Sequence, residues 1–318
     1  MNLFCDDHRY DIDTNAVGRL EVGTETLVDK SKSTKTVLMS LFPGNTDVEG
    51  ATVINACYGG TAALLNAFHW VESDGWDGRY AIVVAADIAA YAKGPARPTC
   101  GAGAVAFLVG RDAPLSFNPR ERATHASHVW DFFKPDHSVE YPTVDGALSQ
   151  VCYYQAIEDV YQRLVRNVHK ARGENGNKKP FDAESPDFWV FHSPYNKLVQ
   201  KSFGRLYLID ARRRLEEGEN MEGHPLEEWL TKTIEETYSD KTLEKALKAV
   251  SADAYTQRFK DSNAASIKIG NTYAASVFLG LASLVDRAGS NGSLEEGKII
   301  GVFSYGSGAL ASMYCLQV

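Results

Sequence analysis

Residues 53–70, VINACYGGTAALLNAFHW, constrain the fold more than any other part of this sequence. β-Favouring residues lead into a Gly-containing turn, and an Ala/Leu-rich run follows, which predicts a strand, a tight turn and a buried helix with Cys57 at the turn. The positive end of the helix dipole favours a thiolate there, and free N–H groups could hold a developing oxyanion. Cys57 is therefore a candidate nucleophile. The alternative is a buried structural cysteine.

Composition limits the classes of function that the chain can have. A net charge of −8 argues against general binding to nucleic acid or to a membrane surface. The five cysteines are widely spaced and include no CxxC pair, which fits a reducing compartment and offers no zinc pattern. No apolar run reaches the about 18–20 residues that a membrane helix needs, and no signal or transit peptide opens the chain. We expect a cytoplasmic protein.

Strand and helix patterns alternate through both halves of the chain, which indicates an α/β protein. Further strands are predicted at residues 16–26, 80–92, 104–109, 188–191, 265–269, 299–304 and 310–318. A long helix is predicted at residues 145–170 with Asp145 as its N-cap. Residues 216–261 form a charged, mostly helical excursion without recognisable chemistry.

Polar side chains are predicted where strands end. Cys57, His192 and Asn271 occupy such positions, and Glu25 follows the first strand. Because strand C-terminal ends line the site in α/β folds, this convergence favours a nucleophilic-cysteine enzyme over a structural cysteine. Glu21 and Glu25 are four residues apart, so they share a face if the strand continues through both.

Three further features are open to two interpretations. Asp87 interrupts an apolar strand, so it must be paired, either as a structural anchor or as a site residue. Lys197, Lys201 and Arg205 lie on one face of the helix after residue 191, which suits a solvated face or an anionic substrate. Residues 124–135 mix polar and aromatic side chains and suggest a pocket wall.

Several segments together resemble a known family. GRLEVGTET, GNTDVEG, NACYGGTAAL, SDGWDGRYA, FHSPY, KLVQKS and VFSYGSG are similar to signatures of the eukaryotic 3-hydroxy-3-methylglutaryl-CoA synthases, within the thiolase-like condensing enzymes. The resemblance covers residues 18–318. It implies an α/β fold in thiolase-like αβαβα layers, with two similar halves at residues 1–113 and 114–318, and a homodimer. Family members extend further at both ends, so we expect part of the N-terminal half to be missing here.

The resemblance also implies a reaction and a set of roles. Cys57 would carry an acetyl group from acetyl-CoA, Glu25 would be the general acid/base and His192 would help to position acetoacetyl-CoA in the mevalonate pathway. It implies no metal, and no cofactor beyond the CoA thioesters. The implied substrate-binding residues are Asp87, Asp131, Asn271, Ser307, Thr99, Tyr91 and Phe132. The implied CoA-binding residues are Lys197, Lys201 and Ser149.

Two alternatives remain at this point. The chain could be a truncated, non-catalytic paralogue or isoform that acts as a dimerisation partner. It could also be another condensing enzyme, such as a ketoacyl synthase. The combination of Glu25 with the FHSPY segment speaks against the ketoacyl synthase.

Overall fold

A computed structural model describes residues 12–173 and 180–318. In its first part, four strands form a sheet in the spatial order β2–β1–β3–β4. Strands β1, β2 and β3 run parallel to one another, and β4 is antiparallel to β3. In chain order the elements are β1 (Val17–Gly23), α1 (Thr34–Leu38), β2 (Thr52–Val53), α2 (Gly59–Val71), β3 (Tyr80–Ala89) and β4 (Gly101–Val109).

The rest of the chain builds a second four-stranded sheet, in the order β5–β10–β9–β8, and a two-stranded pair of β6 with β7. Strand β8 is parallel to β9, and the other neighbours in this sheet are antiparallel. The elements are β5 (Ser116–Ala126), β6 (Phe132–Phe133), β7 (Thr143–Val144), α3 (Gly146–Arg172), β8 (Phe188–Phe191), α4 (Asn196–Glu216), α5 (Lys241–Phe259), α6 (Asn263–Ile269), α7 (Ser276–Ser290), β9 (Ile299–Gly306) and β10 (Leu310–Gln317). Short 3-10 helices are Thr14–Ala16, Met39–Leu41, Arg97–Thr99, Glu227–Trp229, Glu235–Thr237 and Tyr273–Ala275.

The two sheets sandwich α2 and α7. Leu64 of α2 and Phe278 of α7 share one buried apolar cluster with strand residues of both sheets. Helices α3 and α4 cover the other face of the second sheet, whereas the outer face of the first sheet is covered by a small cluster beside the short helix α1. These layers give the αβαβα order that the family resemblance implies, with a thin outer helical layer on the first sheet.

Helix α2 packs closely against β1 because glycines remove the side chains between them. A Cβ on Gly23 would lie 2.3 Å from the carbonyl carbon of Gly59 and from the nitrogen of Gly60. No L side chain fits in that space. The start of α2, and with it Cys57, is therefore fixed by backbone-to-backbone contact with the first sheet.

Most of the predicted elements are confirmed. The Asp145 carboxylate accepts the Leu148 N–H at 3.0 Å and caps α3. The strand predicted at residues 265–269 is wrong, because these residues belong to helix α6. Ile267 and Ile269 are exposed on this helix, so they bury no sheet face.

Residues 216–261 are helical in part. They contain two 3-10 turns and α5, and they build an apolar cluster against α4 around Trp229, Leu243 and Leu247. Within the described ranges, none of the helices has the length and apolar character needed to cross a bilayer.

Candidate active site

Cys57 lies in a tight turn between β2 and α2. Its φ is +59°, in the left-handed region, and its side chain is buried with 8 % of the residue exposed. A non-glycine residue rarely adopts this conformation. Such a conformation persists only where the surrounding structure holds the backbone in place. The Tyr58 N–H donates to the Ala56 carbonyl at 2.7 Å within the same turn.

The end of β9 presses on this turn from the second sheet. A Cβ on Gly306 would lie 2.0 Å from the Ala56 oxygen and 2.5 Å from the Tyr58 Cβ. In addition, the Thr61 hydroxyl in α2 donates to the Ser304 hydroxyl at 2.7 Å. The Cys57 turn is thus clamped between the two sheets.

Glu25 follows β1 and contacts Cys57 directly. Its Oε2 accepts the Cys57 backbone N–H at 3.0 Å, and its Oε1 lies 3.2 Å from the Lys134 Nζ. Burial raises the pKa of Glu25 to about 7, helped by the nearby Asp87 charge, while Lys134 and the Cys57 N–H oppose the rise. A carboxyl group with that pKa can both accept and return a proton near neutral pH.

Asp87 anchors the segment that carries Glu25. Its Oδ1 accepts the N–H groups of Glu25 and Thr26, both at 2.9 Å, and the hydroxyls of Thr24 at 2.7 Å and Thr26 at 2.8 Å. Its Oδ2 accepts the Ala274 N–H at 2.9 Å. Both carboxylate oxygens of Asp87 thus accept hydrogen bonds from the protein itself. Of the two interpretations open from the sequence, the structure favours Asp87 as a structural anchor.

An aromatic wall packs beside the cysteine. Cys57 shares an apolar cluster with Tyr273, Tyr91 and Phe132. Both neighbouring rings meet Tyr273 edge-on, with centroids 5.9 Å away for Tyr91 and 5.8 Å for Phe132. The Asn271 side chain braces this wall, because its oxygen accepts the Tyr273 N–H at 2.9 Å and its amide group donates to the Tyr91 hydroxyl at 3.4 Å.

Asn271 reaches this place by a route that the sequence did not predict. It follows helix α6 rather than a strand, and its N–H donates to the Thr99 carbonyl at 2.9 Å. The Thr99 hydroxyl donates to the Ala96 carbonyl at 2.7 Å. Thr99 thus supports the site through its backbone.

His192 comes directly after β8, as predicted. Its N–H donates to the Phe303 carbonyl at 2.8 Å, and its carbonyl accepts the Tyr153 hydroxyl at 2.7 Å. The residue is only 1 % exposed, and burial lowers the pKa of the imidazole to about 3, so the ring is neutral at physiological pH. Its Nδ1 finds no hydrogen-bond partner among the described residues.

Asp131 holds the turn between β9 and β10. Its Oδ1 accepts the Gly308 N–H at 3.0 Å, and its Oδ2 accepts the Tyr305 hydroxyl at 3.3 Å. Ser307 lies half-buried in that turn, next to the Gly306 backbone that presses on the Cys57 turn. Asp131 therefore positions the turn that carries Ser307.

The structure breaks up the predicted cationic face of α4. Lys201 pairs with Glu244 at 3.0 Å, and Arg205 is buried in an ion pair with Glu158. Lys197 is exposed and makes no ion pair within the described part of the chain. Arg205 is thus a structural residue.

Ser149 lies in the first turn of α3, half-buried, with its N–H on the Asp145 carbonyl at 2.8 Å. Neither Ser149, Lys197 nor Lys201 makes a hydrogen bond or ion pair with Glu25 or Cys57 in the described ranges. Direct contacts therefore join Glu25, Tyr91 and Phe132 to Cys57, and Asp87 and Asn271 contact these residues in turn.

Two expectations about this site are wrong. Burial raises the pKa of the Cys57 thiol well above its usual value, and the charges of Glu25 and Asp87 raise it further, so the thiol and not the thiolate is favoured. Glu21 and Glu25 share no strand face, since β1 ends at Gly23, and Glu21 instead pairs with Arg19 at 2.6 Å. The Cys57 N–H donates to Glu25, so an oxyanion would need other N–H groups.

Two residues of the site, Lys134 and Tyr273, were missed from the sequence. Lys134 bridges Glu25 and Glu140, and its Nζ lies 5.8 Å from the centre of the Tyr273 ring. The mixed polar and aromatic character of residues 124–135 was the only sequence signal for Lys134. Within residues 12–173 and 180–318 no group of His, Cys, Asp and Glu side chains could hold a metal ion.

Comparisons with known proteins agree with the fold and with the sequence signatures. The family model described as hydroxymethylglutaryl-coenzyme A synthase N terminal matches residues 6–114, and the corresponding C-terminal model matches residues 115–318. The chain is similar in structure to MvaS in complex with 3-hydroxy-3-methylglutaryl coenzyme A. That match has a TM-score of 0.81 and 30 % identity, and it covers 98 % of this chain and 69 % of the other.

Curated relatives are similar over nearly the whole chain. Hydroxymethylglutaryl-CoA synthase A of Dictyostelium discoideum is 49 % identical over 98 % of this chain, and cytoplasmic hydroxymethylglutaryl-CoA synthase of Homo sapiens is 48 % identical over the same share. The chain spans 62 % and 60 % of the length of these two relatives. The resemblance seen in the sequence is thereby confirmed, and the chain belongs to the hydroxymethylglutaryl-CoA synthase family.

Proposed function

We propose that this chain condenses acetyl-CoA with acetoacetyl-CoA and water to give 3-hydroxy-3-methylglutaryl-CoA and CoA, as an acyltransferase of the mevalonate pathway. The observation that carries the proposal is the Glu25 carboxyl group, held on the Cys57 N–H at 3.0 Å with a pKa of about 7. A base of that strength beside a nucleophilic thiol suits carbon–carbon bond formation on a thioester. A solved structure of a similar synthase contains CoA, which agrees with CoA thioesters as substrates.

In the first step, the Cys57 sulfur attacks the carbonyl carbon of acetyl-CoA. A new S–C bond forms, the bond to the CoA sulfur breaks, and the thiol proton leaves with CoA. Because burial raises the pKa of the Cys57 thiol, the proton must depart as the sulfur attacks. The product is an acetyl thioester on Cys57.

In the second step, Glu25 removes a proton from the acetyl methyl group, and the resulting carbanion attacks C3 of acetoacetyl-CoA. Glu25 is held for this role by Lys134 on one oxygen and by the Cys57 N–H on the other. His192 is neutral, so one ring N–H polarises the ketone oxygen without carrying a full charge. The new alkoxide takes up the proton that Glu25 removed, which restores the Glu25 carboxylate.

In the third step, water hydrolyses the thioester on Cys57 and releases the product. The wall around the acyl groups is formed by Tyr91, Phe132, Asn271, Ser307 and Thr99. This wall and the base are positioned by Asp87 and Asp131. Lys197 is an exposed cation suited to CoA phosphates, and we propose Lys201 and Ser149 as further CoA contacts.

The proposal extends to the whole molecule. The two halves are residues 1–113 and 114–318, and the active form is a homodimer. We place the protein in the cytoplasm, since several relatives, including the human one, are named cytoplasmic. The CoA thioesters are the only cofactor-like groups that the mechanism needs.

The test uses acetyl-CoA with a labelled acetyl group and intact-mass analysis. The folded protein should gain one acetyl group on Cys57, and Cys57→Ala should gain none. Glu25→Gln should be acetylated but should form no product with acetoacetyl-CoA. Equal labelling of the Cys57→Ala variant would disprove the proposal. A monodisperse, cooperatively melting protein that takes up no label would instead support a non-catalytic dimerisation partner.

A further inference from the structure

Ser127, His125 and Asp159 form a hydrogen-bonded chain at the edge of the second sheet. The His125 Nδ1 lies 2.6 Å from the Asp159 Oδ2, and its Nε2 lies 3.3 Å from the Ser127 Oγ. A carboxylate can only accept, so in the neutral imidazole Nδ1 carries the ring proton and Nε2 accepts from the serine hydroxyl. This is the order of acid, base and nucleophile that activates a serine.

The fold holds the three groups in place from two elements. His125 lies on edge strand β5, which ends at Ala126, and Ser127 follows directly after the strand. The Ser127 backbone is fixed by reciprocal hydrogen bonds with Ala309, at 3.0 and 2.7 Å. Asp159 projects from α3 and is oriented by Arg163, whose Nη2 lies 2.9 Å from the same carboxylate oxygen.

The surroundings of Ser127 suit an acyl compound. Ser127 is exposed, and the next backbone N–H, that of His128, donates to no group in the described ranges. Trp130 is 64 % exposed and meets the rings of His128 and Phe133 edge-on, at 5.7 and 5.2 Å. Within four residues the chain thus presents the exposed hydroxyl of Ser127, the backbone N–H of His128 and the exposed ring of Trp130.

We propose that Ser127, His125 and Asp159 form a second acyl-transfer site, which hydrolyses short-chain carboxylic esters independently of Cys57. The Ser127 oxygen bonds to the ester carbonyl carbon while its proton passes to the His125 Nε2. The carbon–oxygen bond to the alcohol then breaks, and the imidazolium gives that proton to the leaving oxygen. Water repeats the two transfers, releases the carboxylic acid and restores Ser127. The His128 N–H holds the oxyanion, and Trp130 contacts the apolar part of the ester.

The test is made in a Cys57→Ala background, so that failure of the proposed condensation cannot be mistaken for failure of this site. The chain is treated with a fluorophosphonate probe, and its hydrolysis of 4-nitrophenyl acetate is followed in parallel. We expect the phosphonyl group on Ser127, and we expect Ser127→Ala to abolish both signals. His125→Gln and Asp159→Asn should each slow labelling by about tenfold or more, since a positioned base contributes about 10²–10⁴-fold.

Ser138→Ala is the matched control. Ser138 is an exposed serine bonded to a carboxylate, Asp136, at 2.6 Å without an intervening histidine, and its loss should change neither signal. Circular dichroism melting curves show whether each variant is folded. Labelling of another residue, or unchanged rates in a folded Ser127→Ala or His125→Gln variant, would overturn the proposal.

Discussion

The carboxylate of Glu25 accepts the backbone N–H of Cys57 at 3.0 Å. The proposed base is thereby tied to the peptide of the proposed nucleophile rather than to its side chain, which leaves the Cys57 sulfur without a hydrogen bond to Glu25. The same bond makes the position of the base depend on the strained turn around Cys57. Five predictions test how these groups depend on one another and on the fold.

The pH dependence of condensation should report the ionisation of Glu25. In the proposed mechanism only the carboxylate form of Glu25 removes the acetyl proton, and the pKa of Glu25 is raised to about 7. The single-turnover rate from acetylated enzyme should therefore rise with pH up to about 7 and level off above it. The measurement is product formation in rapid-quench experiments between pH 5.5 and 8.5. A rate that is flat across this range would contradict the assignment.

The same pKa predicts how stability changes with pH. A carboxyl group whose pKa rises on folding stabilises the folded state at low pH, and this stabilisation is lost as the pH rises from 4.5 towards 7. Glu25 should contribute a fall of about 3 kcal/mol in the free energy of unfolding over this window. Urea denaturation of wild type and Glu25→Gln at several pH values isolates the effect, since only wild type should show the Glu25 part of the fall. Parallel curves would exclude it.

Removing the charge of Lys134 should raise the pKa of Glu25. Its ammonium group lies 3.2 Å from Glu25 and lowers the pKa of that carboxyl. Lys134→Met should therefore move the midpoint of the condensation pH profile upward and slow the reaction at pH 7 by roughly three- to tenfold. Lys134→Arg keeps the charge and should retain most of the wild-type profile. An unchanged midpoint in the Met variant would show that Lys134 does not tune Glu25.

Gly306→Ala should damage acylation. The added methyl group would lie 2.0 Å from the Ala56 oxygen, so the Cys57 turn must move. We expect a loss of stability of about 1–3 kcal/mol and at least a tenfold drop in acetylation of Cys57. Gly289→Ala in α7, where a Cβ meets no atom within 4 Å, is the control and should be neutral or slightly stabilising. Wild-type acetylation in the Gly306 variant would show that the turn tolerates displacement.

Cys57 should react slowly with alkylating agents in the absence of substrate. The raised pKa of its thiol leaves little thiolate at pH 7, and burial limits access. Cys100, which is half-buried, serves as the reference within the same molecule. Peptide mapping after brief treatment with iodoacetamide should find Cys100 modified before Cys57, with the Cys57 rate still rising above pH 9. Rapid and selective alkylation of Cys57 at pH 7 would refute the raised pKa.

Local patterns predicted the frame of the site. The turn at Cys57, the helix after it and the strand before His192 each depend on neighbouring residues, and the structure has them where expected. The strand predicted at residues 265–269 was wrong, because these residues form helix α6, on which Ile267 and Ile269 are exposed.

The charges that surround Cys57 and Glu25 could not be predicted from local sequence patterns. The helix dipole next to Cys57 is visible in the sequence, but the charges of Glu25 and Asp87 that act on the thiol arrive through the fold. The pairing of Lys134 with Glu25 likewise depends on how β6 meets the first sheet. Its partner cannot be read from spacing, because the two residues are far apart in the chain.

The Asp87 carboxylate links residues 6–114 to residues 115–318, which two separate family models match. Its Oδ1 holds the segment with Glu25, and its Oδ2 holds the Ala274 N–H just after Asn271. A recombinant made by crossing two relatives near residue 114 inherits the carboxylate from one parent and its last donor from the other. Such hybrids will retain an intact site only when both parents direct the backbone at position 274 in the same way, which makes this one contact a determinant of which crossovers succeed.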